Sequence, residues 1–344
     1  MQLLRGLRSF MGRERTRLVC FTGVTAALML MATPMPVAAN PNAGEHSPAP
    51  QAHGPVAMAG VGGIGGFGGQ GRIEIPAGTI SPAHPLRVML IGDSVMGDAE
   101  LGIVPALSAT GEATSFSHAI VGFGLAKATN WPTEFPLLIA QEHPQLVIGT
   151  WSWDFAGPTT PNALYDPRQY TALLERFLRT VLAPGDGVDG VMLLEFPPWG
   201  PVADPTPSKL ASERIGAMGR VAWNRIASEM PSVFPGRVMY LPVADSILFN
   251  GQYSTWLPPL GDPSAPKDQW VRVRKLDKTH MCPQGSARLG IAIDADLRMI
   301  VGLAPPEPPL WFTGPWTTNP QFNEPTGACP HDHPATAHHE RSRK

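Results

Sequence analysis

Four short runs of apolar residues alternate with longer polar stretches along the middle of the chain. The runs are Leu86–Ile91, Gln145–Gly149, Gly190–Phe196 and Arg237–Leu241. Their hydrophobicity is nearly continuous, which is typical of strands that are buried on both faces of a parallel sheet. The pattern therefore predicts four parallel strands at the centre of the fold.

Three segments between and after these strands have the spacing of helices. The first begins at Asp166-Pro167, an N-cap residue followed by a proline at the first helical position, and its apolar residues recur three and four positions apart. Pro184-Gly185 ends it, and Ser208–Met230 and Gln284–Ile300 are the other two predicted helices. This alternation predicts an open, doubly wound α/β sheet with its functional residues at the carboxyl ends of the strands.

The N-terminal residues 1–39 have the order of a secretory signal peptide. Five arginines occur within residues 1–17, the apolar run Leu18–Ala32 follows, and Val37-Ala38-Ala39 offers small residues for cleavage. The apolar run is shorter than the roughly 20 residues that a membrane-spanning helix needs. A retained N-terminal anchor is the alternative, and either arrangement predicts a protein that is secreted or extracytoplasmic, in the cell envelope.

Glycine and proline are unusually frequent: 36 and 39 of the 344 residues, or about 22% together. Their average usage in proteins is roughly 12% for the two together. Residues 60–71 contain eight glycines but lack the Gly-Lys-Ser/Thr ending of a phosphate-binding loop. We expect a flexible linker over residues 40–83, a packed domain over 84–303 and a solvated Pro/His-rich tail over 304–344.

Charge and cysteine content narrow the functional classes. A formal net charge of −2 argues against a nucleic-acid partner, because phosphate neutralisation needs a basic surface. Three cysteines exclude a disulfide scaffold and four-thiolate metal sites. Cys282 and Cys329 are the two cysteines beyond the signal segment, and they could form a disulfide in an oxidising compartment.

Two polar motifs flank the predicted domain core. Gly92-Asp93-Ser94 directly follows the first strand, where a strand-to-helix turn would expose a serine hydroxyl beside backbone N–H groups. A serine N-cap is the alternative interpretation. Asp277-Lys278-Thr279-His280 precedes the last helix and could supply the base that a serine nucleophile needs, together with a carboxylate for the other imidazole nitrogen. Taken alone, this second motif is better explained by a surface aspartate and an unrelated histidine.

Together the two motifs resemble the SGNH (GDSL-type) hydrolase family over residues 84–303. The resemblance implies a flavodoxin-like, three-layer α/β/α sandwich with a central parallel sheet. It also implies Ser94 as nucleophile, His280 as general base and Asp277 as the acid that orients His280. No metal or organic cofactor is implied.

Two further blocks of the family concern the oxyanion hole. After the second family strand, the resemblance assigns the backbone N–H of Gly122 as a donor beside that of Ser94, with Gly124 as the weaker choice. The third block, normally Gly-x-Asn-Asp, reads Gly149-Thr150-Trp151-Ser152 here. It lacks the asparagine, so we expect the Trp151 indole N–H or the Ser152 hydroxyl to donate in its place.

The Trp-rich third block and the spacing Arg272-x-Arg274-x-x-Asp277-x-x-His280 are similar to one branch, the extracytoplasmic SGNH domains that accompany membrane-bound O-acyltransferases. This implies a serine esterase or O-acyltransferase acting on an acylated small molecule, glycan or glycolipid, with a separate membrane acyltransferase as a partner. The residues expected to contact substrate are Asp93, Trp153, Asp154 and Arg274. Packing in the core or at its rim is the alternative for Trp151 and Trp153, and a solvated or salt-bridged role is the alternative for Arg274. For the whole protein, the alternative is a catalytically degenerate member of the fold that binds glycan or has a structural role in the envelope.

Overall fold

The computed structural model describes residues 70–76, 80–126, 130–152, 154, 166–185, 187–201, 207–323 and 329, without the side chains of 207–215. The predicted signal segment and the glycine-rich stretch before residue 70 lie outside the described residues. No helix within the described ranges is long and apolar enough to cross a membrane.

A six-stranded sheet forms the centre of the fold. Its strands are β1 (Gln70–Gly71), β2 (Leu86–Gly92), β3 (Ala113–Ala119), β4 (Leu146–Thr150), β5 (Gly190–Leu194) and β6 (Val238–Leu241). The order is β1-β6-β5-β4-β2-β3, and all neighbours are parallel except β1, which runs antiparallel to β6. Without β1, this is the strand order of flavodoxin-like sheets, so the predicted fold class is confirmed.

Helices cover the sheet in two groups. The α-helices in the described residues are α1 (Ser94–Ser108), α2 (Trp131–Glu142), α3 (Pro167–Val181), α4 (Pro207–Val233) and α5 (Pro283–Val301). Helix α1 packs against α5, whereas α2 packs against α3 and α3 against α4. Two hairpins precede the last helix, formed by β7 (Leu248–Phe249) with β8 (Gln252–Tyr253) and by β9 (Trp256–Leu257) with β10 (Val271–Arg272).

The four apolar runs form β2, β4, β5 and β6, and nearly every residue in these strands is buried. This is the burial on both faces that their continuous hydrophobicity predicts. Strand β3 was not indicated by any apolar run, because it lies at the sheet edge and most of its residues are only half-buried. Its sequence, ATSFSHA, therefore carries little hydrophobic signal.

The predicted domain boundaries need correction at both ends. Gln70 and Gly71, assigned to the linker, pair with Tyr240 and Met239 of β6, and the nearby Ile73 is buried in the core. At the other end, residues 304–323 are not a solvated tail. Trp311 and Phe312 bury their rings in a small apolar cluster against α1 and α5, because aromatic side chains gain free energy when they leave water.

Helices α1 and α5 approach each other closely where glycines face each other. A Cβ atom on Gly102 of α1 would lie 2.2 Å from the carbonyl carbon and oxygen of Ser286 in α5. A Cβ atom on Gly290 of α5 would lie 2.5 Å from the carbonyl oxygen of Gly102. The two backbones are therefore in contact, and a side chain at either position would push them apart.

We expect Gly102→Ala to lower the free energy of unfolding by about 1–3 kcal/mol, since overpacking between two backbones cannot relax through a flexible side chain. Gly97→Ala in the same helix is the matched control, because its Cβ atom would meet nothing closer than 3.6 Å. The control is expected to be neutral or stabilising, as alanine favours helix by about 1 kcal/mol over glycine. Urea denaturation measures both; equal stabilities would contradict the close packing.

Candidate active site

Ser94 is the first residue of the helix that follows the central strand β2. The N-cap is Asp93, whose Oδ1 accepts a hydrogen bond from the Val95 N–H at 2.9 Å. The serine hydroxyl is therefore not used to cap the helix, which settles the alternative left open by the sequence. At this position the side chain stands at the carboxyl end of the sheet, where ligands bind in open α/β folds.

The loop before α5 brings His280 to this serine. The Nε2 atom of His280 lies 2.8 Å from Ser94 Oγ, and its Nδ1 atom lies 2.5 Å from Asp277 Oδ2. Oδ1 of Asp277 accepts the backbone N–H groups of Thr279 and His280, both at 3.0 Å. Asp277 thus fixes the loop backbone with one oxygen and the imidazole with the other.

The charges of this pair support each other. Burial favours the neutral carboxyl of Asp277, but its hydrogen bonds with His280 and Thr279 outweigh burial and hold its pKa below the ordinary range. Burial also favours the neutral imidazole, yet Asp277 stabilises the protonated form and raises the pKa of His280. The carboxylate therefore stays ionised and prepares the imidazole to accept a proton on Nε2.

Asp93 and Asp154 do not lie on the substrate-accessible surface, so their predicted contacts with substrate are corrected. Both are fully buried. Oδ2 of Asp93 accepts the Ser152 N–H at 3.2 Å, which ties the loop after β4 to the turn before Ser94. Asp154 accepts the N–H groups of Leu125 and Ala126 at 2.8 and 2.9 Å, so it holds the loop after β3.

The expectation that the Trp151 indole N–H donates to the oxyanion is wrong. It is fully buried, and its indole N–H donates to the Tyr170 hydroxyl at 2.7 Å. Tyr170 in turn donates to Asp154 at 2.6 Å. Tyr170 is one of the regularly spaced apolar positions of the helix predicted from Asp166-Pro167, and its polar role depends on partners that are 16 and 19 residues away in sequence. The role of the Ser152 hydroxyl as the third oxyanion donor stays a prediction.

Arg274 supports the loop that carries His280 and does not face a substrate. It is fully buried, and its guanidinium donates to the carbonyl oxygens of Thr279 at 2.8 Å and Pro198 at 2.9 Å. Burial lowers its pKa to about 10. The predicted substrate contact is therefore wrong, since both hydrogen bonds hold backbone beside the Asp277–His280 pair.

Gly122 lies in the tight turn between Ile120 and Phe123, with a φ of 72°. The Phe123 N–H closes this turn on the Ile120 carbonyl at 2.8 Å, and the Ile120 N–H donates to the Gly92 carbonyl at 2.9 Å. The turn is therefore fixed to the residue two positions before Ser94, and the role of Gly122 as an oxyanion donor stays a prediction. The predicted contact residue Trp153 lies outside the described residues.

Cys282 and Cys329 are joined by a disulfide with a Cα–Cα distance of 5.5 Å. Cys282 is the N-cap residue of α5, two positions after His280. Within the described residues, no cluster of three or more histidine, cysteine or acidic side chains could hold a metal ion.

A cavity of about 270 Å³ lies next to the Gly122 turn, between the edge strand β3 and α2. Ile120 and Phe123 form its wall on the side of the turn, and Trp131 and Phe135 line it from α2. His118 adds a polar group, held by Glu142 at 2.9 Å. No pattern in the sequence indicated this cavity, because the extents of β3 and α2 were not predicted.

Asp93 makes the stability of the protein depend on pH. Its burial raises its pKa to about 7, whereas an unfolded aspartate titrates near 3.9. Between about pH 4 and pH 7 the folded state binds more protons than the unfolded state, so stability falls as pH rises.

We expect Asp93→Asn, which mimics the neutral carboxyl and retains a capping oxygen, to gain stability relative to wild type as pH is raised from 4 to 8. Thermal unfolding at both pH values measures this gain, and a constant difference would contradict the buried carboxyl.

No family model matches the chain, and no curated protein matches it. Solved structures do match. A carbohydrate acetylesterase family member from Sinorhizobium meliloti is 14% identical, with 63% of this chain and 99% of that chain covered and a TM-score of 0.45. A GDSL-like lipase from Bacteroides thetaiotaomicron is 13% identical, with 62% and 88% covered and a TM-score of 0.40. The periplasmic domain of a lipopolysaccharide acetyltransferase from Salmonella ser. Paratyphi A is 12% identical, with 65% and 86% covered and a TM-score of 0.41.

Proposed function

We propose that this protein is a serine esterase or O-acyltransferase of the SGNH class. The observation that carries the proposal is the continuous chain of hydrogen bonds from Asp277 through His280 to Ser94 Oγ, at 2.5 and 2.8 Å. A hydroxyl is a weak nucleophile until a base removes its proton, and a base needs a partner that stabilises its charged form. The three side chains have these roles at the carboxyl end of a doubly wound sheet.

In the first half of the reaction, Ser94 Oγ attacks the carbonyl carbon of an acyl ester while its proton passes to His280 Nε2. The tetrahedral intermediate then collapses as the alcohol oxygen takes this proton from Nε2 and leaves. Asp277 stays ionised and stabilises the imidazolium between the two steps. An acyl group remains bound to Ser94 through an ester bond.

The oxyanion is bound in this mechanism by backbone N–H groups. The first N–H groups of a helix have no partner within the helix. Here those of Val95 and Gly97 donate to Asp93, and that of Ser94 makes no hydrogen bond within the described residues. We assign the Ser94 N–H as one donor, the Gly122 N–H as the second and the Ser152 hydroxyl as the third. The positive end of α1 adds to the stabilisation of the negative charge.

In the second half, a hydroxyl attacks the acyl-enzyme, and His280 accepts its proton and returns it to Ser94. Water as the attacking group gives hydrolysis, and a sugar hydroxyl gives acyl transfer. We propose O-acylated envelope glycans or glycolipids as substrates, and a separate membrane acyltransferase as the source of acyl groups. This choice, like that of an extracytoplasmic location, rests on the sequence resemblance and the signal-like residues 1–39. The Cys282–Cys329 disulfide supports the location, since such bonds persist in oxidising compartments.

A second candidate is a glycan-binding protein of the same fold that lacks turnover. The observation in its favour is that the Trp151 indole N–H, at the place of the family asparagine, is already bound to Tyr170. Loss of one oxyanion donor costs about 10²–10³-fold in turnover. The serine, histidine and aspartate are nevertheless held in a reactive geometry, which a binding protein does not need.

Hydrolysis of p-nitrophenyl acetate, butyrate and octanoate by the full chain tests the two candidates. We expect Ser94→Ala to lower kcat/KM by at least about 10³-fold, because the nucleophile is lost. Ser264→Ala, which removes an exposed serine hydroxyl, is the matched control and is expected to retain wild-type activity. A fluorophosphonate probe should label wild type and not Ser94→Ala. A folded wild-type protein that neither hydrolyses these esters nor takes the probe would contradict the proposal and favour the binding protein.

The pH dependence follows from the raised pKa of His280. A general base must be neutral, so kcat/KM is expected to rise with pH through a pKa above the ordinary value of about 6.5. Asp277→Asn removes the charge that raises this pKa, so the inflection should move to lower pH while kcat/KM falls by about 10²–10⁴-fold. Rate profiles from pH 5 to pH 9 measure both effects, with the exposed Asp262→Asn as control. An unchanged inflection in Asp277→Asn would show that His280 is not the titrating base.

A further inference from the structure

A buried ion pair joins the helix that begins at Ser94 to the loop that carries His280. The Nζ atom of Lys275 is 2.9 Å from Oδ2 and 3.0 Å from Oδ1 of Asp98. The Lys275 side chain has no exposure to solvent and that of Asp98 has 4%. Removing two charges from water has a large free-energy cost, and the attraction between the two ions rarely recovers it alone. The pair therefore needs an explanation other than stability.

Asp98 connects the serine helix to the histidine loop. It lies four residues after Ser94 in α1, and residues four apart share one face of a helix. Its Oδ2 accepts the N–H of Met281, the residue after His280, at 3.1 Å. Its carbonyl oxygen accepts the Ser286 hydroxyl at 2.8 Å. One residue of α1 thus binds both the end of the histidine loop and the first turns of α5.

Lys275 holds the same loop from its other end. Its backbone N–H donates to the carbonyl oxygen of His280 at 2.8 Å, which closes the loop between residues 275 and 280. Its ammonium group then joins this closed loop to Asp98. The loop that carries His280 is therefore attached to one buried carboxylate of the Ser94 helix through two separate connections, at Lys275 and at Met281.

The segment 311–323, which we name the C-terminal strap, completes the surroundings of the ammonium group. The carbonyl oxygen of Gln321 accepts from Lys275 Nζ at 3.0 Å, and the Gln321 side-chain amide donates to the carbonyl oxygen of Gly97 at 2.9 Å. The Cys282–Cys329 disulfide links the chain just beyond the strap to the residue that follows Met281. The strap therefore contacts both α1 and the histidine loop.

We propose that Asp98 and Lys275 are positioning residues that set the geometry and the proton affinity of His280 toward Ser94, and that Gln321 of the strap supports them. The proposal rests on the proposed function of Ser94 and His280. The negative charge of Asp98 stabilises the imidazolium and the positive charge of Lys275 destabilises it. The other charged groups that face His280 are Asp277 on its own loop and Asp93 at the start of α1.

Titration of His280 by NMR in the full chain tests the proposal, with its resonance assigned by its loss in His280→Ala. We expect Asp98→Asn to lower the pKa of His280 and Lys275→Met to raise it, each by roughly 0.5–1 unit, since each variant removes one nearby charge. The pKa of His280 in the double variant should be close to its wild-type value. General loosening of the loop would shift the pKa of His280 in the same direction in both single variants. Such a result, or no shift in either variant, would overturn the proposal.

Ester hydrolysis gives the second readout. We expect kcat to fall roughly ten-fold in Lys275→Met with KM little changed, since misplacement of a base affects the chemical step. Lys275→Arg keeps the charge and should recover part of kcat. The exposed Lys267→Met is the matched control. Full kcat in Lys275→Met would contradict the proposal.

If the buried variants do not fold, Cys329→Ser tests the same network from the strap, and we expect it to lower kcat several-fold in a folded protein. Full kcat in this variant would overturn the part assigned to the strap. The outcomes stay separate from those of the proposed function. Absence of Ser94-dependent hydrolysis in wild type would refute the proposed function, whereas the opposite pKa shifts of His280 are measured without any turnover.

Discussion

The hydrogen bond between Ser94 and His280 depends on how closely α1 and α5 approach each other. Ser94 begins α1, and the loop of His280 leads into α5 at Pro283. The two helices meet at Gly102 and Gly290, where neither backbone leaves room for a Cβ atom. A distance of 2.8 Å between two side chains 186 residues apart in sequence is therefore set by a contact between helix backbones. The sheet fixes the position of Ser94 itself, because α1 starts where the central strand β2 ends.

Three buried carboxylates fix the loops around this contact, and each does so by accepting backbone N–H groups. Asp93 holds the turn before Ser94 to the loop after β4, Asp154 holds the loop after β3, and Asp98 holds the loop of His280. A carboxylate has two oxygens and about four lone pairs, so it can connect segments that are far apart in sequence. The site is accordingly surrounded by polar groups that support the backbone.

Much of the fold could be predicted from the sequence, because strands buried on both faces carry a strong and local signal. The turn expected at Ser94 implies a helix after it, but the extent of α1 was not predicted, since this helix is buried over much of its surface and contains Gly97 and Gly102, which weaken the helical pattern. Ser94, Asp277 and His280 were found because each belongs to a short motif at the end of an element. Trp151 and Arg274 were assigned wrongly for the opposite reason: their polar atoms are used by Tyr170 and Pro198, and no local pattern reveals a distant partner.

The disulfide between Cys282 and Cys329 has a consequence for how the molecule matures. It closes a loop with a sequence separation of 47 residues, and the chain-entropy model assigns about 4 kcal/mol to a loop of that length. The segment it encloses contains α5 and the C-terminal strap, which otherwise attaches through a few aromatic rings and hydrogen bonds. A chain that folds in reducing surroundings lacks this contribution. Oxidation adds it by joining Cys329 to Cys282 at the start of α5, two residues after His280.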